Sequence, residues 1–293
     1  MSIKKIVVLG AGIMGSGIAQ LAAQSGFSVL MVDVDDQALD KGIAAILKSL
    51  GIFREKGKIN QAEFAEIRNR IDARKDMKGA LAEADFVVEA VPENMELKKK
   101  IFRRMDEICK KGVVLATNTS SLSITEIASV VRRQDKVVGM HFANPVPIMI
   151  GVEIIRGLET SQETLETIYS LAEKFEKICY TAKDFPGFAG NRMLMPLINE
   201  AFHVLFQGIS SAEDIDNVCK LSFRHPMGPL ELADFTGLDT VLFILEYLHK
   251  EIGERYRPCP LIKQLVMGGQ LGVKAGKGVY DYTSGSKIAR DLS

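Results

Sequence analysis

The chain lacks most of the marks that would assign it to a specialised class. Its four cysteines, Cys109, Cys179, Cys219 and Cys259, are scattered, with no CxxC pair and no histidine at metal-ligand spacing. That argues against a disulfide scaffold and a zinc site; the expectation is no bound metal, and reduced thiols in a cytoplasmic protein. Charge of one sign is not in excess either, since 37 lysines and arginines balance 37 aspartates and glutamates. Without a global field, neither nucleic acid nor an anionic membrane is an expected partner, and any anionic ligand must be held locally. One stretch imitates a signal peptide or membrane span: Ile6 to Ala23 follows Lys4 and Lys5 and has Ser16 and Gln20 as its clearly polar residues. Five glycines between positions 10 and 26 would weaken a spanning helix, and the apolar run resumes after Gly26 as a short strand. A buried strand, turn and helix explain the pattern better, so no membrane association is expected.

What is present is a globular composition, 47% hydrophobic and 25% charged over 293 residues, long enough for two domains. Lys5 to Leu9 is an apolar, β-branched run without alternation, as in a parallel strand covered on both faces. Gly10-Ala11-Gly12-Ile13-Met14-Gly15 follows directly and opens a helix to Gln24. These glycines suit a tight turn, close approach of the backbone to a pyrophosphate, and close helix-to-strand packing, with the phosphate at the positive helix N-terminus. A second strand, Ser28 to Val32, delivers Asp33 at the spacing of a ribose-binding carboxylate. Such a carboxylate would repel a 2'-phosphate, favouring NAD while leaving NADP open. The plainer alternative is a strand-end or helix-cap aspartate.

Further strands are expected at Phe86 to Glu89, Val113 to Thr117, Val137 to Met140 and Val152 to Ile155, mostly separated by helices, which is doubly wound α/β architecture. Between the second strand and Phe86, residues 36 to 70 read as two amphipathic helices hinged near Lys56-Gly57-Lys58. That insertion is either a solvated hairpin or a basic arm for a phosphorylated substrate. Two polar clusters follow strands, where ligands sit in open α/β sheets: Thr117-Asn118-Thr119-Ser120-Ser121, and His141 with Asn144, Pro145 and Pro147. The first could merely cap the next helix. His141 has the pKa range suited to taking a hydroxyl proton, and Glu153 on the next strand would fix its tautomer and stabilise the imidazolium, unless it is an ordinary surface glutamate. After Ile178 to Thr181, the stretch Lys183-Asp184-Phe185-Pro186-Gly187 breaks regular structure and marks a domain boundary. Helices are expected at Phe188 to Gln207, after Ser211 with Asp214 as a capping box, and at Leu238 to Ile252. Asn191, polar in a buried-looking helix, requires a ligand or caps its own helix.

Taken together, these residues resemble the (3S)-3-hydroxyacyl-CoA dehydrogenase family, and within it the short bacterial 3-hydroxybutyryl-CoA dehydrogenases. The likeness runs nearly end to end: GAGIMGSGIAQ at 10 to 20, VVEAVPEN at 87 to 94, TNTSSLSITEIA at 117 to 128, HFANPVPIM at 141 to 149, DFPGFAGNRMLMPLINEA at 184 to 201, HPMGPLELADFTGLD at 225 to 239 and GVKAGKGVYDY at 272 to 282. The resemblance implies reversible NAD-dependent oxidation of a 3-hydroxyacyl-CoA, with His141 as base, Glu153 as its partner, and Ser120 and Asn191 on the C3 oxygen. Cofactor contacts would come from Asp33, Glu93, Lys98, Ser120, Asn144 and Lys274 beside the glycine turn, and CoA contacts from the arm around Arg54, Lys56 and Lys58.

It also implies a Rossmann-type domain over 1–184, with a helical insertion at about 36–75, then an all-α domain over 185–293 that forms a homodimer. Two departures fall between the proposed base and its partner: Ala143 where the family reads HFFNP, and Ile150-Gly151 where it usually has Lys-Leu. They put the shape of the acyl pocket in question. The rival readings are a dehydrogenase of free hydroxy or sugar acids on the same fold, and a non-catalytic NAD-binding protein.

Overall fold

The structure is a computed structural model that describes residues 3–292; Met1, Ser2 and Ser293, the outer ends of the two expected domains, lie outside the described residues. The chain divides into two compact units, Met1–Phe185 and Pro186–Ser293.

The first unit is built on eight strands. In chain order its elements are β1 (Lys5–Leu9), α1 (Ile13–Gln24), β2 (Ser28–Val32), α2 (Asp36–Glu55), α3 (Gln61–Asn69), β3 (Ile71–Arg74), α4 (Met77–Glu83) and β4 (Phe86–Glu89). They are followed by α5 (Met95–Ile108), β5 (Val114–Thr117), α6 (Ile124–Ala128), β6 (Val137–Phe142), β7 (Gly151–Arg156), α7 (Gln162–Lys174) and β8 (Ile178–Lys183). The sheet order is β3-β2-β1-β4-β5-β6-β7-β8. All neighbours are parallel except β6 and β7, which pair antiparallel. β1, β4 and β5 lie inside the sheet with helices on both faces, so their residues are buried almost without interruption and the alternation of a one-sided strand never develops. The chain order reverses between β1 and β4, and there the loops after the strands meet. The Gly10 amide donates to Val32, that of Ala90 to Leu9, and that of Asn118 to Glu89, at 2.7, 2.7 and 2.8 Å. Ligands of open α/β sheets bind at such a switch point.

Two expectations are corrected. The insertion stops short of residue 75, because Ile71–Arg74 forms the edge strand β3; only Ile71 of its four residues is buried, so the hydrophobic signal of a strand is missing. The doubly wound sheet is otherwise as expected, with β7 returning antiparallel beside β6. His141 does not follow its strand but belongs to it, as β6 runs on to Phe142.

The second unit is helical: α8 (Gly190–Phe206), α9 (Ala212–Asn217), α10 (Pro229–Thr236), α11 (Leu238–Ile252) and α12 (Pro260–Met267), with the small hairpin β9 (Tyr280–Asp281) and β10 (Ile288–Ala289). Its core includes Ile198, Phe202, Leu230, Leu245, Leu248, Tyr256 and Ile262. Pro196 sits inside α8 and cannot donate to the carbonyl four residues back; the Tyr256 hydroxyl reaches that carbonyl, on Arg192, at 3.3 Å. Ser211 caps α9 as expected, accepting from the Asp214 amide and donating to its carboxylate. Asp234 accepts from the amides of Val279 and Tyr280 and the Tyr282 hydroxyl, which ties the C-terminal hairpin to α10; burial pushes its carboxyl above the usual range.

Candidate active site

The glycine turn separates structural from binding roles. Gly10 adopts φ +102°, and a side chain there would come within 2.6 Å of the Ala90 carbonyl oxygen. A side chain at Gly15 would collide with the Gly10 carbonyl. A Cβ at Gly12 would meet nothing within 4 Å. Gly12 is also the cap residue of α1, and no side chain caps this helix. At the end of β2, Asp33 accepts from the Ala11 amide at 2.8 Å and the Asp35 amide at 3.2 Å, which fastens its carboxylate to the turn. An uncapped helix N-terminus, room beside Gly12 and a fixed carboxylate on the neighbouring strand fit the pyrophosphate and ribose of a dinucleotide.

The loop after β5 is organised by carboxylates. Its capping duty falls to Ser123, which accepts from the Glu126 amide and donates to Asp184. Thr119 and Ser120 turn instead to Glu93: the Ser120 amide donates at 2.7 Å, its hydroxyl at 3.1 Å and the Thr119 hydroxyl at 2.9 Å. Asn94, capping α5, sets Glu93 just outside that helix. Lys98, in the first turns of α5, is 1% exposed, with its ammonium 2.7 Å from Glu89 and 3.5 Å from Glu93. Asn118 is buried and accepts from the Phe142 amide, which joins this loop to β6 beside His141. Among the described residues, Ser121 has a buried hydroxyl with no hydrogen-bond partner.

Antiparallel pairing of β6 with β7 places His141 directly opposite Glu153. His141 Nδ1 and a Glu153 carboxylate oxygen are 3.1 Å apart. Glu153 is 1% exposed, so it is no surface glutamate, whereas the His141 side chain is 21% exposed. Residues opposite each other share a sheet face, so the carboxylate takes one ring nitrogen and sets the orientation of the ring. Asn144 is the second residue of the loop between the two strands. Lys177 holds that loop by donating to the carbonyls of Val146 and Met149 at 2.8 and 2.6 Å, and burial lowers its pKa. The departure at Gly151 has a physical counterpart: a Cβ there would lie 3.1 Å from the ring of Tyr180, which occupies the space of the missing side chain.

The remaining expected residues stand on other elements. Asn191 lies inside the first turn of α8, where Ala189 holds the cap position, so it does not cap its own helix. Lys274, in the helical unit, pairs with both carboxylate oxygens of Asp239 at 2.5 and 2.7 Å. Of the basic arm, Arg54 lies over the Phe64 ring and donates to Gln61, Lys58 lies over Phe53, and Lys56 is exposed at the end of α2. Two of its three cations therefore brace the helical hairpin itself. Thiol chemistry finds no support: burial pushes all four cysteine thiols up, Cys109 to about 11. Among the described residues no group of three or more histidines, cysteines or carboxylates could hold a metal, and no helix is long and apolar enough to cross a membrane. Sequence reasoning missed Glu89, Thr117, Thr119 and Asn118 as individuals. Glu89 carried a signal, a carboxylate closing an apolar strand, where an unpaired charge could not stay.

Residues 5–185 match the family model "3-hydroxyacyl-CoA dehydrogenase, NAD binding domain" and residues 187–282 the corresponding C-terminal domain. A probable 3-hydroxybutyryl-CoA dehydrogenase of Bacillus subtilis is 51% identical over 96% of this chain and 98% of its own length. A 3-hydroxybutyryl-CoA dehydrogenase of Clostridioides difficile is 44% identical over 95% of this chain and 99% of its own. The crystal structure of (S)-3-hydroxybutyryl-CoA dehydrogenase from Ralstonia eutropha superposes with a TM-score of 0.91 at 46% identity, covering 96% of this chain and all of that one. With both halves matched in order and relatives similar along their whole length, the chain belongs to the 3-hydroxyacyl-CoA dehydrogenase family of NAD-dependent oxidoreductases.

Proposed function

We propose that this enzyme interconverts (3S)-3-hydroxybutyryl-CoA and acetoacetyl-CoA, with His141 exchanging the hydroxyl proton. The observation that carries the reading is the His141–Glu153 pair, a buried carboxylate 3.1 Å from a part-exposed imidazole. Bound on the glycine turn, NAD supplies a nicotinamide that accepts or returns the C3 hydride. His141 takes the hydroxyl proton in oxidation and returns it in reduction, and Glu153 stabilises the imidazolium that forms. The Ser120 hydroxyl donates to the C3 oxygen, and Asn191 is assigned to the same oxygen on the family pattern alone. Asp33 receives ribose hydroxyls, while Glu93, Lys98, Asn144 and Lys274 complete the proposed cofactor contacts. Arg54, Lys56 and Lys58 remain the proposed CoA arm, with Lys56 at the exposed hairpin end.

Initial rates with NADH and NADPH over acetoacetyl-CoA, its longer homologues and free acetoacetate test this reading. The expected result is preference for NADH and for the short CoA thioester; equal efficiency with the free acid would defeat it. Exposed apolar residues of the helical unit, Met193, Leu221, Phe223 and Met267, support pairing of two chains through that unit. Light scattering should give twice the chain mass, and a monomer at micromolar concentration would exclude it.

A further inference from the structure

The proposed chemistry leaves one fully buried acid unused. Glu89 closes β4 with no exposed surface, and its two oxygens take three donors: the Lys98 ammonium, the Val91 amide and the Thr117 hydroxyl, each at 2.7 Å. Three short bonds from a strand, a loop and a helix leave that carboxylate a single orientation. Lys98 in turn has three oxygen neighbours, Glu89 at 2.7 Å, the Val91 carbonyl at 3.2 Å and Glu93 at 3.5 Å. One ammonium thus lies between two carboxylates, and the nearer one decides where it rests.

We propose that Glu89 is a positioning residue for Ser120, acting through Lys98 and Glu93. By holding the ammonium, Glu89 leaves Glu93 committed to the Ser120 amide at 2.7 Å and its hydroxyl at 3.1 Å. The amide bond fixes the residue, and the hydroxyl, on its own rotor, is the group able to turn to a substrate oxygen. Without the charge on Glu89 the ammonium moves toward Glu93 and draws that carboxylate off Ser120. Displacement of a catalytic donor by about 1 Å is enough to slow a reaction by up to roughly a hundredfold. The inference rests on the reading of Ser120 as the donor to the C3 oxygen.

Turnover of acetoacetyl-CoA with saturating NADH, measured for Glu89→Gln, Ser120→Ala and the double variant, tests it. Glu89→Gln should lower kcat about tenfold in the native background and leave it within about twofold in the Ser120→Ala background, because residues acting through one group are not additive. Thr117→Val removes one hold on Glu89 without touching a charge. It should lower kcat by about two- to threefold, again only while Ser120 is present. If Glu89→Gln does not fold, the Thr117→Val pair carries the test. An equal loss in both backgrounds, or no loss from either substitution, overturns the positioning role. Normal turnover of Ser120→Ala alone removes the reading of Ser120 itself and this inference with it.

Discussion

Two buried carboxylates of the sheet pair with basic side chains, Glu89 at the end of β4 and Glu153 on β7 opposite β6, and the pairs are built for opposite purposes. Glu89 and Lys98 are both sealed from solvent, and the lysine rests on Glu89 and the Val91 carbonyl with Glu93 3.5 Å away. Glu153 is equally buried, but its partner His141 keeps a fifth of its side chain exposed, at 21%. Lys98, gripped by Glu89 and the Val91 carbonyl, braces the turn between β4 and α5. An imidazole is charged only when it has taken a proton, so beside a buried carboxylate it can store one and give it back. Similar burial of the acid therefore says little; the partner's chemistry and access decide between scaffold and reaction.

The comparison breaks most visibly at Lys98. Lys98→Met strands Glu89 as a lone buried charge and should destabilise the fold by about 3–5 kcal/mol in denaturant unfolding. Glu153→Gln should leave stability nearly unchanged, and a Lys98→Met protein as stable as the native one would collapse the distinction. His141→Gln comes next: kcat should fall about a hundredfold or more, roughly 2.7 kcal/mol in the barrier, with NADH affinity little altered by fluorescence titration. Undiminished turnover there would remove His141 as the base. The smallest effect sharpens the contrast between framework and site within the glycine turn. Gly12→Ala has room for its methyl and should melt like the native protein while losing about tenfold in NADH affinity. Gly15→Ala meets the Gly10 carbonyl and should lose about 1–3 kcal/mol of stability as well. A Gly12→Ala protein that binds NADH normally would refute the role given to that glycine.

Much of the fold was legible because its signals are local. The apolar runs at β1, β2, β4 and β5, the glycine turn and the Ser211 cap all follow from short-range pattern and sterics. β3 was not legible, because an edge strand of mostly polar residues buries a single side chain. Candidate site residues were legible as types at strand ends, His141 and Ser120 above all. The network behind Ser120 was not, because Glu89, Glu93, Lys98 and Thr117 are brought together by β4, β5 and α5 rather than by spacing.

By itself, then, the sequence determined the residue chemistry and the order of elements: a glycine turn after a buried strand, an acid at the next strand's end, a histidine and a glutamate twelve positions apart. Tertiary structure alone decided which of these act on each other. Twelve residues of separation permit many geometries, and only the antiparallel return of β7 onto β6 sets His141 opposite Glu153 in register. The same holds for Glu89, which as a letter in VVEAVPEN is one acid among many and in the sheet is a charge with nowhere to go but Lys98. The reason is physical: periodicity and capping act over a few residues, whereas desolvation and charge pairing depend on what the fold packs around each group.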